Sequence, residues 1–395
     1  MAQFDPAAAT AAYLAELPPA AHAKAQAYTQ GGHWLLLWGA LVGVIVAWLV
    51  LRSGVLVKLR GGIERGRPRP WLAAFAVLAV DGVLESVLGL PWNAYADWWR
   101  ERAYGLSSQG FGGWLGDWAL MTGFVTLITV VLLVLVYALI RRAPRTWWIW
   151  SGAATALVFL FAIVIVPVTL LPLLNNYKEA PSGPVRDAVV QMAKANGVPS
   201  DKILIYDGSK QSNRYTANVM GIGGTARIAM SDVMFKKGAD LAEVKAVVGH
   251  EMGHYVHGHI YWLTLSYGVL GLAAFFLVDR LFRPVLELTG AKGVTGLADP
   301  AGFPVISIIM AMLALLSTPV TNAITRTIEA DADRYSLQHV NEPDGLARAL
   351  VKTVEYRAAT PSRLEEVLFY DHPSVGRRIR LAMDWKATHP KAVQP

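Results

Sequence analysis

The chain has 395 residues, of which 54% are hydrophobic and only 16% charged, well below the roughly one quarter charged in a soluble globular protein. Its formal net charge of +7 comes largely from basic residues beside long apolar runs, where lipid headgroups account for them, so no nucleic-acid partner is expected. The absence of cysteine excludes disulfides, thiolate metal ligands and a cysteine nucleophile, and leaves any zinc site to histidine and carboxylate ligands.

Residues 1–32 are alanine-rich and predict helix at the membrane surface. A hydrocarbon core of roughly 30 Å needs about 20 predominantly apolar residues per helical span, and the first such window is 33–51. It follows a polar stretch, unlike a cleaved signal peptide. A loop at 52–70 carrying Arg52, Lys58, Arg60, Arg65, Arg67 and Arg69 leads to spans at 71–92, 114–140 and 147–173. Within the second span Asp81 and Glu85 stand one helical turn apart at membrane depth, which predicts a wet interior on that side, because facing lipid costs on the order of several kcal/mol.

The stretch 175–240 loses the long apolar runs and reads as a small soluble insertion. A helix is predicted near 183–195, a strand at Ile203–Tyr206, and a hairpin pairing 215–221 with 226–231 around the turn Gly221–Gly224. Asp240 followed by Glu243 makes a capping box for the next helix, which carries His250, Glu251, Met252, Gly253 and His254. Two further spans, 260–285 and 303–328, form an out-and-back pair, so His259 and Glu329 return to one membrane face. The last 65 residues, 331–395, are polar again. The predicted organisation is a four-span membrane region (1–174), a soluble insertion (175–259), a two-span hairpin (260–328) and a C-terminal segment (329–395).

HExxH on a helix places two imidazoles one turn apart on one face, spacing suited to tetrahedral zinc. Glu251, between them, can take a proton from the attacking water and later deliver it to the leaving amine. A catalytic site needs a third protein ligand, and Glu329, Ala330, Asp331, Ala332, Asp333 offers one just after a span. Glu329 and Asp333 share a face, so Glu329 can reach the metal while Asp333 hydrogen-bonds a ligand imidazole. Asp331 points elsewhere, and the alternative is that these acids solvate a helix end. His257 and His259 read as a polar face turned towards headgroups. His372 is either a structural histidine or a donor to the tetrahedral oxyanion, and the 215–221 strand is either an ordinary hairpin arm or an edge to which an extended substrate adds.

With these residues laid out, the chain resembles the integral-membrane CAAX prenyl endopeptidase family of the a-factor-converting type, and more distantly the HtpX membrane proteases. The likeness includes Leu90, Pro91 and Trp92; Pro172, Leu173 and Asn175; Gly208, Ser209 and Lys210; Arg227, Ile228 and Asp232; the HExxH with Gly258 and His259; Glu329 to Asp333; and His372, Pro373 and Arg378. It implies a helical barrel around a water-filled chamber capped by the zinc domain. It further implies zinc on His250, His254 and Glu329, Glu251 as base, Asp333 orienting a ligand histidine and His372 close to the site. The family's Asn-Ala-Tyr or Asn-Ala-Phe edge pattern aligns with Thr216, Ala217 and Asn218, which with Arg378 are read as substrate-binding. Eukaryotic members have seven spans; six are found here.

The expectation is therefore an α-helical multi-pass membrane protein with a small α+β, gluzincin-like zinc-peptidase domain. It holds one zinc per chain, acts as a monomer among membrane lipids and cleaves membrane-associated polypeptides, prenylated CAAX types included. The alternatives are an HtpX-like quality-control protease and a non-catalytic scaffold or transporter. The membrane is of plasma (inner) or endoplasmic-reticulum type. The positive-inside rule puts the arginine loops in the cytoplasm and the site outside it, whereas the resemblance implies a site open to the cytoplasm.

Overall fold

A computed structural model describes residues 4–199, 202–221 and 226–389. The chain opens with α1 (Pro6–Ala15), capped by the Asp5 carboxylate on the Ala7 N–H, and continues through α2 (Pro19–Ser53), α3 (Val55–Ile63) and α4 (Pro70–Asn93). A π-helical turn at Ala94–Trp99 carries α4 into α5 (Arg100–Ala103), followed by α6 (Phe111–Arg142), α7 (Trp147–Thr169) and α8 (Leu171–Leu174). Among the described residues six helical stretches are long and apolar enough to cross a membrane: Pro19–Ser53, Pro70–Ala103, Phe111–Arg142, Trp147–Leu174, His259–Thr289 and Pro300–Val340. Leu157, Phe161 and Leu316 are 70%, 62% and 70% exposed, and such large apolar side chains have a favourable solvent only in lipid.

Packing between the spans depends on small residues, since lipid removes the hydrophobic drive for helices to associate. A Cβ at Gly152 of α7 would fall 2.6 Å from the Leu272 Cα, and one at Gly268 would meet the Ala156 side chain at 2.9 Å. Asp81 is fully buried rather than bordering open water, while Glu85 hydrogen-bonds Ser307. The basic loops gather at one end: Arg60 pairs with Asp299, Arg52 donates to the Gly290 carbonyl and the Arg141 guanidinium lies 5.6 Å from the Trp71 ring centre.

The soluble part begins with β1 (Tyr177–Glu179), α9 (Pro184–Ala195), β2 (Ile203–Tyr206), β3 (Ala217–Met220) and β4 (Arg227–Ser231). The sheet order is β1-β2-β4-β3, with β2 and β4 parallel and both outer pairs antiparallel, which leaves β3 as an edge. The sequence predicts β2 and the two hairpin arms; most of the Gly221–Gly224 turn lies outside the described residues. β1 was not anticipated, because three residues are too few to show alternation.

Next come α10 (Asp232–Lys236), α11 (Leu241–Val256), α12 (His259–Thr289) and α13 (Phe303–Val340), then α14 (Pro343–Lys352), α15 (Arg363–Phe369) and α16 (Val375–Thr388). Since α12 begins at the HExxH end and reaches the basic loops after 31 residues, the two lie roughly 45 Å apart along it. α1 and the first turns of α2 do not lie apart at the surface: Tyr13 donates to Asp344 at 2.7 Å, and Ala25 joins the core formed by Leu337, Leu346, Ile379 and Met383. α13 is also longer than the predicted sixth span, running unbroken to Val340, so Glu329 sits mid-helix rather than at a frayed end.

α11 is held by the predicted cap, Asp240 accepting from the Glu243 N–H at 2.8 Å. Val244, Val248 and Met252, at i, i+4 and i+8, pack under the sheet against Ile228 and Met230, which turns His250 and His254 towards α13. Close approach there needs glycine: a Cβ at Gly249 would lie 2.4 Å from Val340 Cγ2 and 3.0 Å from Ser336 Oγ, and one at Gly253 would lie 2.9 Å from Tyr335 Cβ. Gly249→Ala is expected to cost about 1–3 kcal/mol through overpacking and to loosen the metal by separating the two helices. Thermal melts in detergent with and without zinc check this; an unchanged melt would mean the helices have slack.

Candidate metal centre and substrate cleft

The close α11–α13 contact brings together three donors far apart in sequence. His250 Nε2 lies 3.2 Å from His254 Nε2 and 3.1 Å from Glu329 Oε2, and His254 Nε2 lies 3.6 Å from Glu329 Oε1. Bonds of about 2.0–2.1 Å to a tetrahedral zinc put ligands about 3.3 Å apart, so the donor set has the size such an ion needs. Glu329 Oε2 is buried without a hydrogen bond of good geometry, the condition of a carboxylate oxygen built to meet a cation. Two imidazoles and one carboxylate suit zinc among the available metals.

The pocket is charged as well as shaped. Burial opposes protonation of His250, but the hydrogen bond to Asp333 and the negative charge of the adjacent Glu329 outweigh it and push its pKa up to about 10. His254 is pushed down to about 3, first by burial and then by the neighbouring His250 cation. A metal entering the site therefore displaces a proton from His250. Burial also pushes the Glu251 carboxyl up to about 7, against the opposing effect of His250, placing its titration near neutral pH, where a general base is most effective.

Each imidazole has a partner for its far nitrogen. His250 Nδ1 meets Asp333 Oδ1 at 2.9 Å, and Asp333 in turn accepts from Arg378 Nε and Nη2 at 2.7 Å each. Arg378, read from sequence as substrate-binding, borders the cleft but is buried and spends its fork on Asp333. Sequence spacing could not reveal this pair, because the partners are 45 residues apart on helices α13 and α16. His254 Nδ1 meets His259 Nδ1 at 2.9 Å, and His259 Nε2 meets Asp331 Oδ2 at 3.1 Å. Asp331 points away from the trio, as expected, and its partners are His259 and His257.

His372 enters from the loop between α15 and α16, its Nε2 3.1 Å from Glu329 Oε2 and its Nδ1 2.8 Å from Asp371 Oδ1. The free edge of β3 runs beside the centre. The Ser231 N–H donates to the Thr216 carbonyl at 3.1 Å; by alternation Asn218 and Met220 face β4, while Ala217 and Val219 turn their backbone groups to the open side. The Val219 N–H accordingly reaches Glu251. Of the three edge-strand residues expected to contact substrate, Ala217 alone presents its backbone to the open edge. Thr216 borders the cleft just before the strand, and Asn218 buries its Oδ1 without a partner.

Two cavities flank Glu251. One, about 860 Å³, is apolar and lies between α7, α12 and the Val219–Gly221 end of β3, with Phe159, Ile163, Val166 and Tyr255 in its wall. The other, about 380 Å³, lies at the Tyr215–Ala217 end and is polar, with Arg214, Tyr356, Arg357 and His372.

Comparison with known proteins gives the same frame. Residues 179–391 match the model of peptidase family M48, and residues 6–176 match the CAAX prenyl protease N-terminal region of five membrane helices. An uncharacterized metalloprotease, YhfN, of Bacillus subtilis is 28% identical over 375 residues, covering 93% of this chain and 86% of that one. CAAX prenyl protease 1 of Saccharomyces cerevisiae is 26% identical over 324 residues, 76% of this chain and 70% of its own. The crystal structure of S. mikatae Ste24p superposes with a TM-score of 0.76 over 96% of this chain and 95% of its own at 20% identity, so the fold is shared end to end. The chain belongs to peptidase family M48 and is an integral, multi-pass membrane metallopeptidase.

Proposed function

We propose that His250, His254 and Glu329 hold one zinc ion per chain and that the enzyme cleaves membrane-associated polypeptides whose segment before the scissile bond is apolar or lipidated. The observation that carries this reading is the trio of donor atoms 3.1–3.6 Å apart beside the open edge of β3. Zinc held there would supply the Lewis acidity that polarises the scissile carbonyl and acidifies the attacking water.

The remaining work falls to side chains. Glu251 accepts the proton of the attacking water and delivers it to the departing amine. His372 Nε2 is placed to donate to the oxyanion. The Ala217 backbone and the Val219 carbonyl offer main-chain hydrogen bonds to an extended peptide, the Val219 N–H being held by Glu251. Laid antiparallel on β3, that peptide has its N-terminal side in the apolar cavity and its C-terminal side in the polar one, where Arg214 and Arg357 suit an anionic end. The yeast relative is named for prenylated CAAX substrates, and the apolar cavity supports a lipidated residue here. A scaffold has no use for Glu251, which disfavours that alternative.

The test is zinc content, and cleavage of a fluorogenic prenylated CAAX peptide and its unprenylated twin, in detergent. One zinc per chain with selective cleavage of the prenylated peptide is expected. Equal cleavage of both would favour the quality-control reading, and zinc without cleavage of either would count against lipidated substrates.

A further inference from the structure

Among the described residues two groups of histidine and carboxylate side chains can bring three ligand atoms within 4.8 Å of one another: the catalytic trio, and His257, His259 and Asp331. We propose that the second group is a regulatory site for a divalent transition-metal ion. Gly258, with φ of +61°, turns the chain between α11 and α12 and so aims the flanking imidazoles at one carboxylate of α13. His259 Nε2 lies 3.1 Å from Asp331 Oδ2, and His257 Nδ1 bonds the same oxygen. Two imidazoles with one carboxylate select zinc, nickel or cobalt over magnesium or calcium. The group is reachable, with the side chains of His257 and Asp331 39% and 40% exposed, on the wall of a cleft of about 820 Å³ between α12 and α13 that also holds Trp262 and Thr327. Arg334 borders the same cleft, so binding is weaker than at the catalytic trio.

This site is coupled to catalysis through one hydrogen bond. Zinc on His254 Nε2 leaves the proton on His254 Nδ1, which then donates to His259 Nδ1 across 2.9 Å. His259 must therefore carry its own proton on Nε2 and donate it to Asp331. A second cation needs that Nε2 lone pair. Its binding either moves the His259 proton to Nδ1, so that two N–H groups face each other and His254 loses its acceptor, or expels that proton to solvent and leaves an anionic imidazole; either way the hydrogen bond that orients His254 is altered. Occupancy of the second site is therefore inhibitory.

The experiment starts from full-length protein in detergent carrying one zinc and adds Zn²⁺ or Ni²⁺, following bound cation by equilibrium dialysis and peptide cleavage in parallel. Wild type is expected to take up a second equivalent as activity falls, with Mg²⁺ and Ca²⁺ inert. His257→Ala is expected to keep its first zinc and basal turnover, lose the second equivalent, and need at least about tenfold more cation for half-inhibition. The same stoichiometry and inhibition curve in wild type and variant would overturn the proposal, as would absence of a second equivalent in wild type.

Discussion

Glu251→Gln is expected to bind zinc and melt like wild type while losing about 10²- to 10⁴-fold in kcat, the range a positioned general base contributes. Glutamine fills the same volume and can still accept the Val219 N–H, so folding and the β3 edge are preserved. What is lost is the group that takes and returns the proton. Burial pushes the Glu251 carboxyl up to about 7, and the base works only when ionised. In wild type kcat/KM should accordingly fall as pH falls through an acid limb at or somewhat below neutrality, since a bound dication draws the limb down. Glutamine removes that limb. Retained turnover, or an unchanged limb in the residual activity, would falsify the role given to Glu251.

Asp333→Leu combines two costs that one further substitution separates. Asp333 is fully buried and receives two hydrogen bonds from the buried Arg378; removing it leaves a buried guanidinium without its partner, a loss of about 3–5 kcal/mol. It also frees His250 Nδ1, and such support for a ligand histidine is worth about 10- to 100-fold in metal affinity. In Asp333→Leu/Arg378→Met the charges leave together, so stability should return largely to wild type while metal affinity stays low. Detergent melts and competitive zinc titration read the two quantities independently. Recovery of affinity in the double variant would show that Asp333 supports the site only through folding.

Metal uptake carries its own pH signature. His250 without metal holds a proton with a pKa of about 10 and must release it to bind, so zinc affinity should rise with pH by about tenfold per unit while one proton is exchanged. A flat profile across neutral pH would mean that His250 is already neutral in the free protein.

Much of this was legible in the chain because it rests on local periodicity. Six apolar windows announce six spans, and the Asp240–Glu243 cap announces the start of the HExxH helix. A spacing of four on a helix announces which face His250 and His254 share, because helix geometry alone sets it. That Glu329 and the two histidines could share a metal also followed from counting spans. The length of α2 and α13 did not follow, since apolar windows mark lipid contact and both helices continue beyond it into the soluble core.

Only the tertiary structure decided who partners whom. Arg378 looked like a substrate contact until α16 packed beside α13 and committed it to Asp333. Asp331, His257 and His259 looked like a solvated face until the turn at Gly258 and the approach of α13 made them one cluster. Likewise the order β1-β2-β4-β3, and with it the free edge beside Glu251, depends on a parallel β2–β4 pairing between strands that are separated in sequence by β3. Periodicity reports which way a side chain faces on its own element. Which element packs against that face is set by contacts between distant segments, such as the glycine-mediated α11–α13 approach that assembles the metal centre.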